Sequence, residues 1–300
     1  MMNLIELFTN SKNEDIALIL HCLLNRMPII IISSDEEEIE NIINGLTNLI
    51  TFRNIMIFYT DFVSMEDFEN LIESEEYDMD VQRNLFLCYP FALEKAIEIF
   101  DIFNYWIIGC LNNIENRTYL NTLIEQLYKS NSQFLRINIE KNSLKPRIEN
   151  KKSDKIDISF EKSLYQAAIN HTEVAIEKMK RVISKRINPK KILDEQYDNI
   201  MNFHFEEIEL KENIIKKEIT DFYLAAKRTL NILTRMKNLE MIGFPTRISS
   251  KTLFSTIAYN QSSIERILDF IIKEWNVNYF SFLNSKKSSN FTDTFESLWG

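Results

Sequence analysis

The hydrophobic pattern of residues 1–140 repeats one rhythm: a short apolar run, a turn, then a segment with apolar residues along one helical face. The runs are Ile29–Ile32, Asn54–Tyr59, Asn84–Tyr89, Tyr105–Leu111 and Phe134–Ile139. They are rich in β-branched and aromatic residues on both faces, as expected of strands covered from two sides. A helix over about residues 13–26, capped by Asn13-Glu14-Asp15 and ended before Pro28, precedes the first run. After it, Ser34 and Glu37 have capping-box spacing, and Ile39, Ile42, Ile43 and Leu46 follow at helical intervals. Phe68 and Leu71, then Leu93, Ala96 and Ile97, then Leu120, Leu123 and Leu127 mark three more amphipathic helices. Strand and helix in alternation predict an α/β domain with a five-stranded, mainly parallel sheet of Rossmann/P-loop-like topology.

Residues 141–157 are polar, basic and contain Pro146, which predicts a linker. From 158 to 283 the pattern is helical. Phe160–Ile187 holds no glycine or proline, and neither does Lys190–Ile242, where Met201, Ile208, Ile215 and Phe222 fall at heptad spacing. Two short helices, about 249–259 and 262–275, and a strand over Val277–Leu283 would then follow in the order of a winged helix-turn-helix. The tail, 284–300, is expected to be flexible and to end in an amphipathic motif. Its apolar residues, Phe291, Phe295, Leu298 and Trp299, have the spacing of a helix that docks in a groove.

Composition narrows the chemistry. The chain has four glycines, Gly45, Gly109, Gly243 and Gly300, no two within ten residues. A phosphate-cradling loop needs glycine for close backbone approach, so no phosphate loop is present. Where it would lie, the chain reads Ser33-Ser34-Asp35-Glu36-Glu37-Glu38. Open parallel sheets bind ligands beyond the carboxyl ends of their strands. That rim would hold Ser33, Ser34, Asp35, Thr60, Asp61, Tyr89, Asn112, Asn113 and Glu140, with Asp35 and Asp61 as candidate Mg²⁺ ligands.

Net charge is −9, unevenly spread: residues 1–150 carry 11 Lys+Arg against 24 Asp+Glu, and residues 151–300 carry 24 against 20. A basic group, Lys178, Lys180, Arg181, Lys185, Arg186, Lys190 and Lys191, could meet an anionic surface or the acidic half. The second short helix of the winged-helix order carries Glu265, Arg266, Asp269, Lys273 and Glu274, a poor charge balance for reading DNA. Cys22, Cys88 and Cys110 lack metal-like spacing, and no apolar run approaches a membrane span; a reducing, cytoplasmic setting is expected.

The expectation is a non-catalytic, regulatory interaction protein: a nucleotide-binding-type α/β domain without its phosphate loop, joined to a helical partner-binding domain, with another protein as partner and no cofactor. The alternatives are Mg²⁺-dependent phosphate chemistry through Asp35 and Asp61, and DNA-linked regulation through residues 249–283.

Overall fold

A computed structural model describes residues 3–73, 84–99, 105–140, 142–150, 156–186 and 194–283. The chain divides into two compact units, Met1–Asp221 and Phe222–Gly300.

In the first unit, α1 (Leu4–Asn10) and α2 (Asn13–Leu24) lead into β1 (Ile29–Ser33). Then come α3 (Glu36–Leu49), β2 (Ile55–Ile57), α4 (Met65–Glu73), β3 (Leu85–Cys88), a 3-10 turn at Pro90–Ala92, α5 (Leu93–Ile99), β4 (Trp106–Leu111), α6 (Ile114–Lys129) and β5 (Phe134–Glu140). All the expected strands and intervening helices are present. The sheet nevertheless has six strands rather than five. Ser143–Glu149, inside the expected linker, forms β6, antiparallel to β5. A sheet edge tolerates what a linker composition contains: Pro146, opposite Ile137, needs no ladder N–H there, and Lys145 guards an open edge. Asn142 turns the hairpin at φ 60°, a left-handed conformation that asparagine tolerates.

The strand order is β2-β3-β4-β1-β5-β6, and β1 to β5 run parallel. Alternate residues of each strand serve opposite faces. One face packs Ile30, Met56, Phe86, Trp106 and Ile108 against Phe68 of α4, Leu93, Ala96 and Ile97 of α5, and Leu120, Leu123 and Leu127 of α6. An aromatic chain runs through that core, with ring centroids 5.5 Å apart for Phe58–Phe62, 5.4 Å for Phe62–Phe68 and 5.3 Å for Phe86–Trp106. The other face carries α1, α2 and α3. There α3 lies so close to β4 that a Cβ on Gly109 would sit 2.5 Å from Ile39 Cγ2.

Behind β1, the buried Arg53 guanidinium donates to the Leu23 and Leu24 carbonyls at the end of α2 (2.7 and 3.0 Å) and to the Tyr105 hydroxyl (3.0 Å). A cation on the last carbonyls of a helix satisfies acceptors the helix leaves open and opposes its negative end.

Helix α7 (Ser159–Arg186) lies on α2, and α8 (Asp194–Met241) follows as one uninterrupted helix. Two of the three histidines join these helices to buried carboxylates. His21 Nδ1 of α2 meets Glu161 Oε1 of α7 at 3.3 Å, and His171 Nδ1 of α7 meets Glu218 Oε1 of α8 at 2.8 Å. Lys162 Nζ lies 2.8 Å from Glu14 Oε1 and holds that carboxyl below its usual value.

The second unit begins within α8 at Phe222 and adds α9 (Ser250–Ile257) and α10 (Ile264–Trp275). Phe222 and Phe270 meet at 5.0 Å in its core. The strand expected over Val277–Leu283 is instead a 3-10 turn, Phe280–Phe282, with a single bridge between Ile248 and Leu283. Among the described residues this unit has no sheet to form a wing. The tail lies outside the described residues.

The close approach at Gly109 gives a direct test. Gly109→Ala is expected to lower stability by about 1–3 kcal/mol, because the new methyl must displace α3 from a packed sheet. Urea unfolding would measure this as a lower midpoint with an unchanged slope.

Candidate functional site: the strand-end rim

Because β1 lies between β4 and β5, the chain leaves β1 outward over one face, through α3, and leaves β4 in the opposite direction over the other face, through α6. Adjacent strands whose connections diverge leave a crevice at their carboxyl ends, where open α/β sheets take ligands. Its walls are the turn Ser33-Ser34-Asp35 and the turn Leu111-Asn112-Asn113.

The first wall is closed by its own side chains. Asp35, rather than Ser34, is the N-cap of α3, its Oδ1 accepting from Glu37 N at 3.1 Å. Asp35 N donates to Ser33 Oγ at 3.2 Å, and the Ser33 hydroxyl donates to Glu38 Oε2. Two backbone donors of this turn, Asp35 N and Glu37 N, are thus engaged by the chain itself, and Glu36, Glu37 and Glu38 occupy the first helical turn. On the second wall Asn113 caps α6 through Asn116 N at 2.7 Å, and Asn112 Oδ1 accepts from Arg117 Nε at 3.2 Å.

Asp61 is committed elsewhere. Its Oδ2 accepts from Ile57 N at 2.6 Å and closes the loop after β2. The strands carrying Asp35 and Asp61 are separated by β3 and β4, three strand spacings and therefore about 14 Å. A Mg²⁺ ion reaches its ligands at about 2.1 Å, so one ion does not join the two carboxylates. Among the described residues no three His, Cys, Asp or Glu side chains gather as a metal site. Cysteine chemistry is disfavoured as well: burial pushes the Cys110 thiol up to about 11 and Cys88 higher still, away from the reactive thiolate.

The outward part of the rim is unlike a phosphate site. Phe91 is 61 % exposed, Tyr59 49 % and Ile114 87 %. Their order follows the strands, Tyr59 after β2, Phe91 after β3 and Ile114 after β4. Tyr59 and Phe91 meet edge to face at 6.1 Å, Phe91 stacks on half-buried Tyr89 at 6.3 Å, and Lys95 Nζ lies 5.7 Å over the Tyr59 ring. The Tyr89 hydroxyl donates to Asn44 Oδ1 at 2.9 Å, and burial and the charge of Glu40 push its phenol up. Tyr59 has φ 76°, a left-handed conformation that costs a bulky residue about 1–3 kcal/mol.

Two open clefts lie along this rim. One, of about 670 Å³, is lined by Glu36, Pro90, Phe91, Glu94, Leu111, Asn113, Asn116, Thr118 and Tyr119. The other, of about 480 Å³, is lined by Thr60, Asp61, Phe62, Val63, Asp67, Asn70 and Leu71. Among the described residues no Lys, Arg or His lines either one. A third cavity, of about 280 Å³, lies among α1, α2, α7 and α8, with an apolar floor that includes Phe8, Tyr165 and Ile215.

The other sequence-derived candidates are scattered. Lys178, Lys180 and Arg181 are exposed along α7, with Arg181 3.3 Å from Glu177. For Lys185 and Arg186 the backbone alone is described, and Lys190 and Lys191 lie outside the described residues, as do Phe291, Phe295, Leu298 and Trp299. The exposed charges of α10 are Glu265, Asp269 and Lys273, since Glu274 is buried and Arg266 lies over Phe222. Sequence reasoning missed Tyr59, Phe91 and Ile114, whose apolar side chains the pattern assigns to the core by default.

Two substitutions test these assignments. Asp35→Ala is expected to cost about 1 kcal/mol as a lost N-cap, with the melting temperature insensitive to Mg²⁺ in both proteins. Tyr59→Gly relieves a left-handed backbone and is expected to leave stability unchanged or raise it by up to about 1 kcal/mol, measured by urea unfolding. Comparison of the chain with protein-family models, with curated proteins and with solved structures finds no match.

Proposed function

We propose that this chain is a non-catalytic, regulatory interaction protein that binds another protein through the strand-end rim of its first unit. The observation that carries the reading is the ridge of Tyr59, Tyr89 and Phe91, with Ile114 beside it, exposed where such a sheet would hold a ligand. Aromatic side chains offered to solvent beside polar clefts are the usual anchors of protein interfaces. The strand order and the crevice beside β1 support descent from a Rossmann/P-loop-like, nucleotide-binding architecture. The Asp35 cap and the carboxylates after it support the loss of its phosphate site.

The second unit acts as the helical partner-binding part. Its α10 presents two acids and one base to solvent, which speaks against a DNA-reading helix. A cytoplasmic setting is part of the same proposal, supported by three buried free cysteines. Among the described residues no helix is long and apolar enough to cross a membrane.

Photo-cross-linking tests the rim. A benzophenone amino acid at Phe91 or at Ile114 is expected to give a discrete adduct with one partner protein in cells. The same group at Tyr128, exposed at the far end of α6, is expected to give none. Adducts from all three positions alike, or from none, overturn the reading. So does a melting-temperature rise with Mg²⁺ and ATP, which would mark a working nucleotide site.

A further inference from the structure

We propose that the partner presents a cationic segment, with arginine or lysine side chains that enter the two rim clefts and pack across the aromatic ridge between them. This inference rests on the interaction reading above and adds the chemistry of the partner.

Charge complementarity carries it. The cleft beside Phe91 holds Glu36 and Glu94, and the cleft that begins at Thr60 holds Asp61 and Asp67. Four carboxylates therefore line the two clefts, with no basic side chain among the described lining residues. Glu37, Glu38 and Glu40 extend the same sign along the first turns of α3. The partners of Asp61 and Asp67 are backbone N–H groups, Ile57 at 2.6 Å and Val63 at 3.3 Å, which leaves their negative charge unneutralised. An anionic partner, nucleic acid included, would meet repulsion along this whole edge.

The aromatic ridge suits the same occupant. Ring faces attract ammonium and guanidinium groups, most strongly where water is excluded. The protein already makes this contact: Lys95 stands over the Tyr59 ring from its own helix. Arg117 also stands on this edge, its Nε donating to Asn112 Oδ1 at 3.2 Å. A guanidinium entering between Phe91 and Glu94 would combine an aromatic face with a carboxylate, an arrangement that favours arginine over lysine. The partner's apolar residues would cover Ile114 and Val63, both exposed on this edge.

Fluorescence anisotropy on the full chain, with labelled oligo-arginine and oligo-glutamate peptides of equal length, tests the proposal. The oligo-arginine probe is expected to bind and to weaken as salt rises, and the oligo-glutamate probe to leave the anisotropy flat. Glu36→Gln with Glu94→Gln is expected to weaken binding about tenfold, and Phe91→Ala by a similar factor. Neutralising two exposed carboxylates away from the rim, Glu125→Gln with Glu209→Gln, controls for non-specific attraction and is expected to change binding less than about twofold. Melting temperatures confirm that each variant is folded. Equal weakening by the rim and control pairs, or an unchanged affinity in Phe91→Ala, overturns the proposal. An adduct at Phe91 or Ile114 to a partner segment without basic residues overturns it too, yet leaves the rim reading intact, whereas the outcomes that overturn the rim reading remove both.

Discussion

The position of β1 between β4 and β5 is the constraint on which the rest of the first unit depends. Its ladder aligns Ile29 with Ile107 on one side and with Leu135 on the other, so β1 is buried at every residue. β-branched, apolar residues fill such a strand well, and the chain supplies four isoleucines in succession. Once β1 is interior, the next strand must start on one side and a later one return on the other. The helices are thereby divided between two faces, and the crevice at the strand ends follows. Gly109 completes the arrangement, since α3 can lie this close to β4 only because that position carries no side chain.

What occupies that crevice departs from what the topology would suit. A helix N-terminus at the end of a central strand attracts anions, yet here three glutamates fill the first turn and Asp35 caps it. The protein's own Asp35 carboxylate caps the helix, and the acidic first turn places negative charge where a phosphate would otherwise be attracted. The free surface then lies farther along the edge, where Tyr59 is held in a left-handed backbone that glycine would adopt at lower cost. Such strain persists only because the loop closed by Asp61 and Phe62 enforces it. The strained residue is also one of the exposed aromatic side chains of the rim.

The first five strands, their order along the chain and the helices between them were legible because each depends on local periodicity. Ile39, Ile42, Ile43 and Leu46 announce α3 without any knowledge of what they pack on, and all four are buried. The two short helices before residue 276 were legible for the same reason. The antiparallel edge was not, because Lys145, Pro146 and Arg147 make β6 resemble a linker and only its pairing with β5 gives it a structure. Contacts between distant residues left no trace either: His21 and Glu161 meet only after α7 folds onto α2. At the site, the rim positions could be named from strand ends alone. The separation of Asp35 from Asp61 could not, because it depends on strand order. Nor could the exposure of Phe91 and Ile114, since an apolar residue beside a helix start looks the same whether it faces the core or solvent.

Division at Asp221 places the charge much as division near residue 150 does. Residues 1–221 carry 25 Lys+Arg against 38 Asp+Glu, and residues 222–300 carry 10 against 6. The basic face of α7 therefore belongs to the acidic unit, so the rim's sign is a local property rather than that of a whole domain. A local field of one sign acts mainly on encounter, raising the association rate for a basic partner and fading with salt. For the partner proposed above, residence would have to come from contacts that exclude water, the part assigned to the exposed Phe91, Tyr59 and Ile114. The two parts make separable demands. Removing charge from the clefts should slow association, whereas removing the rings should speed dissociation, and a surface that did neither would be acidic only for solubility.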